Sequence, residues 1–134
     1  LETAMHVLII EDEPIIAMSI EDELRDCGCA SFDLAASVDQ AVAAARLRCP
    51  DLITADVQLA PGCGIEAVAA ICGAQPIPVI FITSEPARIH ARRPGAIIVR
   101  KPFHKGQIKQ ALALALAAVP GPPARPSAAI PRLQ

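Results

Sequence analysis

His6–Pro14 reads HVLIIEDEP: an aliphatic, partly β-branched run closes on three consecutive acids and then a proline. Short apolar runs bounded by polar residues are the pattern of buried strands. Proline fits the first helical turn, where its missing N–H costs nothing. This stretch therefore predicts a strand over His6–Ile10, a rim of Glu11, Asp12 and Glu13, and a helix over Pro14–Cys27 that Gly28 can end.

The same alternation recurs along the chain. Leu52–Ala55 (LITA), Val79–Ile82 (VIFI) and Ile97–Val99 (IIV) read as further buried strands, with Ser31–Ala36 a less apolar one. Helical periods fall over Val38–Cys49, Ile65–Cys72, a short segment near Pro86–Ala91, and Lys105–Val119. Ser37 and Gln40 match a capping box opening the second helix. Strands without polar alternation imply a sheet covered on both faces, as parallel sheets are. Five strands alternating with five helices predict a flavodoxin-like (βα)5 α/β domain, a doubly wound five-stranded parallel sheet in the order 2-1-3-4-5. The domain is expected over residues 5–119. Residues 120–134 (PGPPARPSAAIPRLQ), with 5 prolines in 15 residues, read as an extended tail or linker.

Composition narrows the function. With 53% hydrophobic and 19% charged residues among 134, wholesale disorder is excluded. The longest uncharged apolar run, Ala111–Val119, is too short to span a bilayer, so no membrane role is expected. Five cysteines form no CxxC pair and no zinc spacing with histidines, which predicts reduced thiols and a cytoplasmic location. Charge is lopsided: 13 acids and 3 bases lie up to Glu66, and 1 acid and 9 bases follow. Such asymmetry points to interaction surfaces. Nucleic acid is not the expected partner, because the only aromatics are Phe32, Phe81 and Phe103 and no stacking platform is evident.

In open parallel sheets ligands bind beyond the carboxyl ends of the strands. There the chain delivers Glu11, Asp12 and Glu13 after the first strand, Asp56 after the third, Thr83 and Ser84 after the fourth, and Arg100, Lys101 and Pro102 after the fifth. Two carboxylates about 4 Å apart repel by around 4 kcal/mol at an effective dielectric of 20. A divalent cation relieves that repulsion, and oxygen-only ligands favour a hard ion such as Mg²⁺ (or Mn²⁺). Lys101 supplies a positive charge for a phosphate oxygen, and Thr83 a hydroxyl. An aspartate between a metal and a lysine suits a phosphoryl acceptor.

Four segments at these strand ends, VLIIEDEP (Val7–Pro14), DLITADVQL (Asp51–Leu59), VIFITS (Val79–Ser84) and RKPF (Arg100–Phe103), resemble the receiver domains of two-component response regulators. The resemblance implies that Asp56 is phosphorylated by a sensor histidine kinase or phosphotransferase. It implies Asp12 as a direct Mg²⁺ ligand, Glu11 as an assistant through water, and the Gln58 carbonyl as a backbone ligand, with Thr83 and Lys101 contacting the phosphoryl group. Three residues before the lysine many members carry Tyr or Phe; here Ile98 stands there, with no ring to swing inward. Thr83 and Lys101 are 18 residues apart, short for the family, which predicts a shortened fourth helix. The layout FITSEPARI…RKPF is similar to alphaproteobacterial receivers with an FxTxxP-like segment, several of them in general-stress pathways.

The resulting expectation is a signalling phosphoacceptor rather than an enzyme. Its output surface is the face of the fourth helix, fifth strand and fifth helix, carrying Arg88, Arg92, Arg93, Arg100, Lys105 and Lys109 toward a downstream protein of unknown identity. It reads as a stand-alone receiver or as the receiver of a longer regulator. An aspartate-nucleophile phosphohydrolase is the alternative; such enzymes often carry a general acid two residues after the nucleophile, where this chain has Gln58, which delivers no proton. Gln58 and Glu85 flank the expected path of water to Asp56. His6, His90 and His104 stand away from the strand-end acids and are expected to be structural or superficial.

Overall fold

A computed structural model describes residues 4–59, 61–73 and 75–118. The elements run β1 (His6–Ile10), α1 (Pro14–Asp26), β2 (Ser31–Ala35), α2 (Val38–Leu47), β3 (Leu52–Ala55), α3 (Gly64–Cys72), β4 (Val79–Thr83), α4 (Pro86–Arg92), β5 (Ile97–Arg100) and α5 (Gln107–Ala118). The strands form one parallel sheet in the order β2-β1-β3-β4-β5, as expected. The tail expected over 120–134, and the last residue expected of the fifth helix, Val119, lie outside the described residues.

Successive strand residues point to opposite faces, and this sorts the core into two layers. Leu8, Ile10, Ile53, Ala55 and Phe81 pack with Ala41 of α2, Ala67 and Val68 of α3 and Ile89 of α4. Val7, Ile9, Leu52, Ile80 and Ile82 pack with Ile20 and Leu24 of α1 and Ile108 and Leu112 of α5. All five β1 residues are buried, because β1 lies inside the sheet and helices cover both sides. β2 is an edge strand and is only half-buried, which explains its less apolar sequence.

Local chemistry sets the element ends. Pro14 opens α1, and Gly28 follows its end at φ 98°, in the left-handed region that glycine enters without steric cost. α2 stops at Leu47, two residues short of expectation: Arg48 is already extended, and Cys49 precedes Pro50, whose ring disfavours helix in the residue before it. The capping box is half formed. Ser37 Oγ accepts from the Gln40 N–H at 3.2 Å, but Gln40 Oε1 accepts from the Ala36 N–H at 2.7 Å, one residue before the cap itself. α5 starts at Gln107 rather than Lys105, after Gly106 at φ 94°. α4 has seven residues, about two turns, in line with the short Thr83–Lys101 interval that contains it.

His6 is buried at the amino end of β1. Its Nδ1 lies 2.8 Å from Ser31 Oγ and its Nε2 2.9 Å from Asp33 Oδ2, while its N–H donates to Asp51 Oδ2 at 2.8 Å. One imidazole thus ties the edge strand β2 to β1, at the end of the sheet opposite the acidic rim.

Candidate functional site

The chain leaves β1 outward to β2 and then crosses back to β3, so the crevice between the carboxyl ends of β1 and β3 is where the strand order reverses. Three backbone hydrogen bonds carry the ladder one residue past the strands and fix the site. Glu11 N–H donates to Ala35 O (2.9 Å), Asp56 N–H to Ile10 O (3.0 Å) and Lys101 N–H to Thr83 O (2.9 Å). Thr83 itself belongs to β4 as its last residue, paired with Arg100, rather than following the strand. The Lys101–Pro102 peptide is cis.

These anchors bring the sequence-predicted side chains together. Glu11 and Asp56 are buried, at 5% and 4% exposure, whereas Asp12 is exposed. One carboxylate oxygen from each of the three lies within 4.8 Å of the others. Lys101 Nζ sits 2.8 Å from Glu11 Oε1 and donates to Asp56 Oδ2 at 2.9 Å. Glu11 Oε2 accepts from the Glu13 N–H at 3.1 Å, and Asp56 Oδ1 accepts from the Gln58 N–H at 3.2 Å. Gln58 thus stands beside Asp56 through its amide, with its side chain exposed. Thr83 is fully buried, and its Oγ1 accepts from the Glu85 N–H at 2.9 Å, which turns the chain from β4 into α4.

Electrostatics follow from this packing. Burial raises the Glu11 carboxyl above its ordinary 4.5; the Lys101 ammonium pulls it down and the Asp56 charge pushes it further up. Burial alone would lower the Lys101 ammonium, but its hydrogen bonds and charge pairing with Glu11 and Asp56 outweigh that and raise it above 10.5. Three carboxylates against one ammonium leave a formal charge of minus two. An all-oxygen cluster of that charge suits a hard divalent cation.

Two further features surround Asp56. The Gln58 side-chain amide donates to the Glu85 carboxylate, which also pairs with Arg88 Nη1 at 3.1 Å, so the two residues expected to flank the approach to Asp56 contact each other. Gly64, the first residue of α3, lies directly against the backbone of Asp56: a Cβ there would stand 1.7 Å from the Asp56 carbonyl oxygen. Gly64 was not among the expected site residues, although the sequence PGCG (Pro61–Gly64) soon after Asp56 signals a tight turn. Of the histidines, His6 is at the far end of the sheet and His90 and His104 are exposed.

Comparison with known proteins agrees with this geometry. The family profile described as the response regulator receiver domain matches residues 7–113. The chain is similar to the phyllosphere-induced regulator PhyR of Methylorubrum extorquens, 38% identical over 119 residues, or 86% of this chain and 45% of that protein. Its fold is similar to the solution structure of the Erythrobacter litoralis PhyR receiver domain (TM-score 0.81, 38% identity, 89% of this chain and 95% of that one). It is also similar to the crystal structure of the anti-anti-sigma factor PhyR from Bartonella quintana (TM-score 0.76, 40% identity, 87% and 49%). The chain spans about half the length of the full regulators it matches.

Proposed function

This chain belongs to the response regulator receiver family, and from that premise we propose that it is the phosphoacceptor of a two-component phosphorelay, with Asp56 receiving a phosphoryl group from a sensor histidine kinase or phosphotransferase. The observation that carries the reading is Lys101 Nζ within 3 Å of both Glu11 and Asp56, at the crevice where the strand order reverses. An Asp56 carboxylate oxygen attacks the phosphorus of a phosphohistidine, the P–N bond breaks, and the imidazole departs with the electron pair. Approach of two anions is the obstacle, and preorganised positive charge is the remedy. Lys101 is held in place by its two carboxylates. On transfer it exchanges part of its contact with Asp56 for a phosphoryl oxygen, while the Thr83 hydroxyl, already at the rim, donates to another.

Asp12, Glu11 and Asp56, with the Gln58 carbonyl, are the residues that would hold Mg²⁺ (or Mn²⁺). When bound, the ion neutralises charge on the acceptor and on the incoming phosphoryl group. The exposed Asp12 carboxylate would supply a direct ligand, and the buried Glu11 would assist through water.

Phosphorylation adds about −1.5 to −2 charge at one fixed point. Movement of Thr83 and Lys101 toward it passes to α4 and β5, whose face with α5 exposes Arg88, Arg92, Arg93, Arg100, Lys105 and Lys109. We assign the downstream contact to that face. Because similar proteins are described as anti-anti-sigma factors, the output proposed is control of an anti-sigma protein, inside the cell. Among the described residues no helix is long and apolar enough to cross a membrane.

A phosphohydrolase reading has less support: Gln58 occupies the general-acid position, and its side chain is engaged by Glu85. One experiment separates the two. Incubation with a small phosphodonor and Mg²⁺ is expected to give stoichiometric label on the wild type, stable in acid and labile in alkali, and none on Asp56→Ala. Sustained turnover of a free phosphoester would replace the receiver reading with the enzyme, and a wild type showing neither label nor turnover would end both.

A further inference from the structure

A cavity of about 370 Å³ opens between α2 and α3, near their carboxyl ends and therefore at the opposite end of the sheet from Asp56. Its walls are apolar: Val42 and Ala45 on α2, Ala70 and Ile71 on α3, with the buried Ile77 as floor. The volume is within the range that takes small organic ligands, and the lining has the usual form of apolar walls with few polar groups. Those polar groups stand at the rim: Arg46, Gln75 and Cys49. The Gln75 side-chain amide is committed to Cys49 Sγ. Arg46 is different. Among the described residues it is the only charged one lining the cavity, it is exposed, and it makes no ion pair.

We propose that this cavity is a binding site for a small monoanionic amphiphile, its apolar body between α2 and α3 and its carboxylate on the Arg46 guanidinium. The charge selects the class. A neutral apolar molecule leaves Arg46 unused, and a cation meets it unfavourably, whereas the guanidinium fork matches the two oxygens of a carboxylate. None of the phosphoacceptor residues lines the cavity, so the site stands or falls independently of the phosphorelay reading.

Octanoate is a suitable probe, followed by amide chemical shifts of the full chain. The expected result is a saturable response centred on α2 and α3. Ala70→Phe, a change at an exposed wall position, blocks the cavity with little effect on the fold and is expected to abolish the response. Arg46→Gln is expected to weaken octanoate about fivefold, the scale of a solvent-exposed ion pair, and Arg46→Lys to restore part of it. Octanol should bind the wild type and Arg46→Gln alike, and less tightly than octanoate binds the wild type. A response that does not saturate, or that survives Ala70→Phe, overturns the site. Octanol binding as tightly as octanoate overturns the assigned ligand class. Ligand-free chain that self-associates in sedimentation, and becomes monomeric on Ala70→Phe, would give the cavity to a second copy instead.

Discussion

A lysine wedged between two buried carboxylates has consequences that titration exposes. Burial holds the Glu11 carboxyl above 4.5 although Lys101 opposes it. A carboxyl raised in the folded state gives stability that is complete below its unfolded value and lost as pH climbs through the folded one. Removing Lys101 withdraws the influence that lowers Glu11 and leaves burial and Asp56 to act, so the loss above pH 4.5 deepens. Lys101 is itself raised, and its contribution is complete below 10.5 and lost as pH climbs through its folded value. Lys101→Met is therefore predicted to be about 2 kcal/mol less stable than wild type near neutral pH, less than a fully buried pair would cost because the lysine is partly exposed. The difference should narrow as pH falls through the raised Glu11 carboxyl and again as it climbs through the raised Lys101 ammonium; urea unfolding across that range checks it, and a constant difference contradicts it. Gly64 makes a second case. Its Cα packs on a carbonyl, which cannot swing aside as a side chain can, so Gly64→Ala is predicted to cost about 2–3 kcal/mol and to slow labelling of Asp56. Wild-type urea stability in that variant would show that the backbone yields freely. The contrast between the two residues shows what sequence makes legible. Glu11, Asp12, Asp56, Thr83 and Lys101 could be read because each follows or ends an apolar run, and parallel strands deliver their ends to one rim. The approach of Gly64 to Asp56, the link from Gln58 to Glu85 and the partners of His6 depend on chain crossings that no local pattern records.

Elements were legible where their burial was uniform. The four apolar strands could be placed to within a residue, since a run buried on both faces looks the same in any register. Helix ends were less so. α2 stops early at the extended Arg48, and α5 starts late after a left-handed glycine; both are backbone events that hydrophobic period does not encode. α4 is the least anchored of the helices. Seven residues make about two turns, Ile89 is its only buried residue, and no side-chain cap holds its start. Short helices with little buried apolar surface open at low free-energy cost. Hydrogen exchange is predicted to label the amides of α4 before those of α1, α2 or α5, and phosphorylation of Asp56 to change exchange in α4 more than in any other helix. The route is short, because the Glu85 N–H that starts the turn into α4 is bonded to Thr83 Oγ1. Exchange in α4 as slow as in α1, where Ala17, Ile20 and Leu24 are buried, would remove α4 as the moving part. Ile98 is half-buried against the core layer that contains Phe81, so a signal to the face we propose as output would use helix or backbone displacement rather than rotation of a ring at this position.

For the molecule as a whole, the acidic rim is a local excess of negative charge that folding itself creates. In the unfolded chain Glu11, Asp12 and Asp56 are dispersed in water; in the fold they converge with only Lys101 between them. A cation that binds the folded state alone stabilises it by mass action, and at ten times its dissociation constant it adds about 1.4 kcal/mol. For a domain of this size that corresponds to about 5 °C in Tm. Mg²⁺ is therefore predicted to raise Tm by roughly that amount at neutral pH, and by less as pH falls through the raised Glu11 carboxyl, whose protonation relieves part of the repulsion. Asp12→Ala should lose the Mg²⁺ response and keep the fold, because Asp12 is exposed and makes no hydrogen bond or ion pair among the described residues. Asp56→Asn should raise Tm without Mg²⁺ less than simple removal of a charge suggests, since it also weakens the hold on Lys101 at 2.9 Å. A Tm insensitive to Mg²⁺ in the wild type at neutral pH would mean that Lys101 alone balances the three acids. The phosphoryl-transfer reading would then have to do without the cation that brings two anions together.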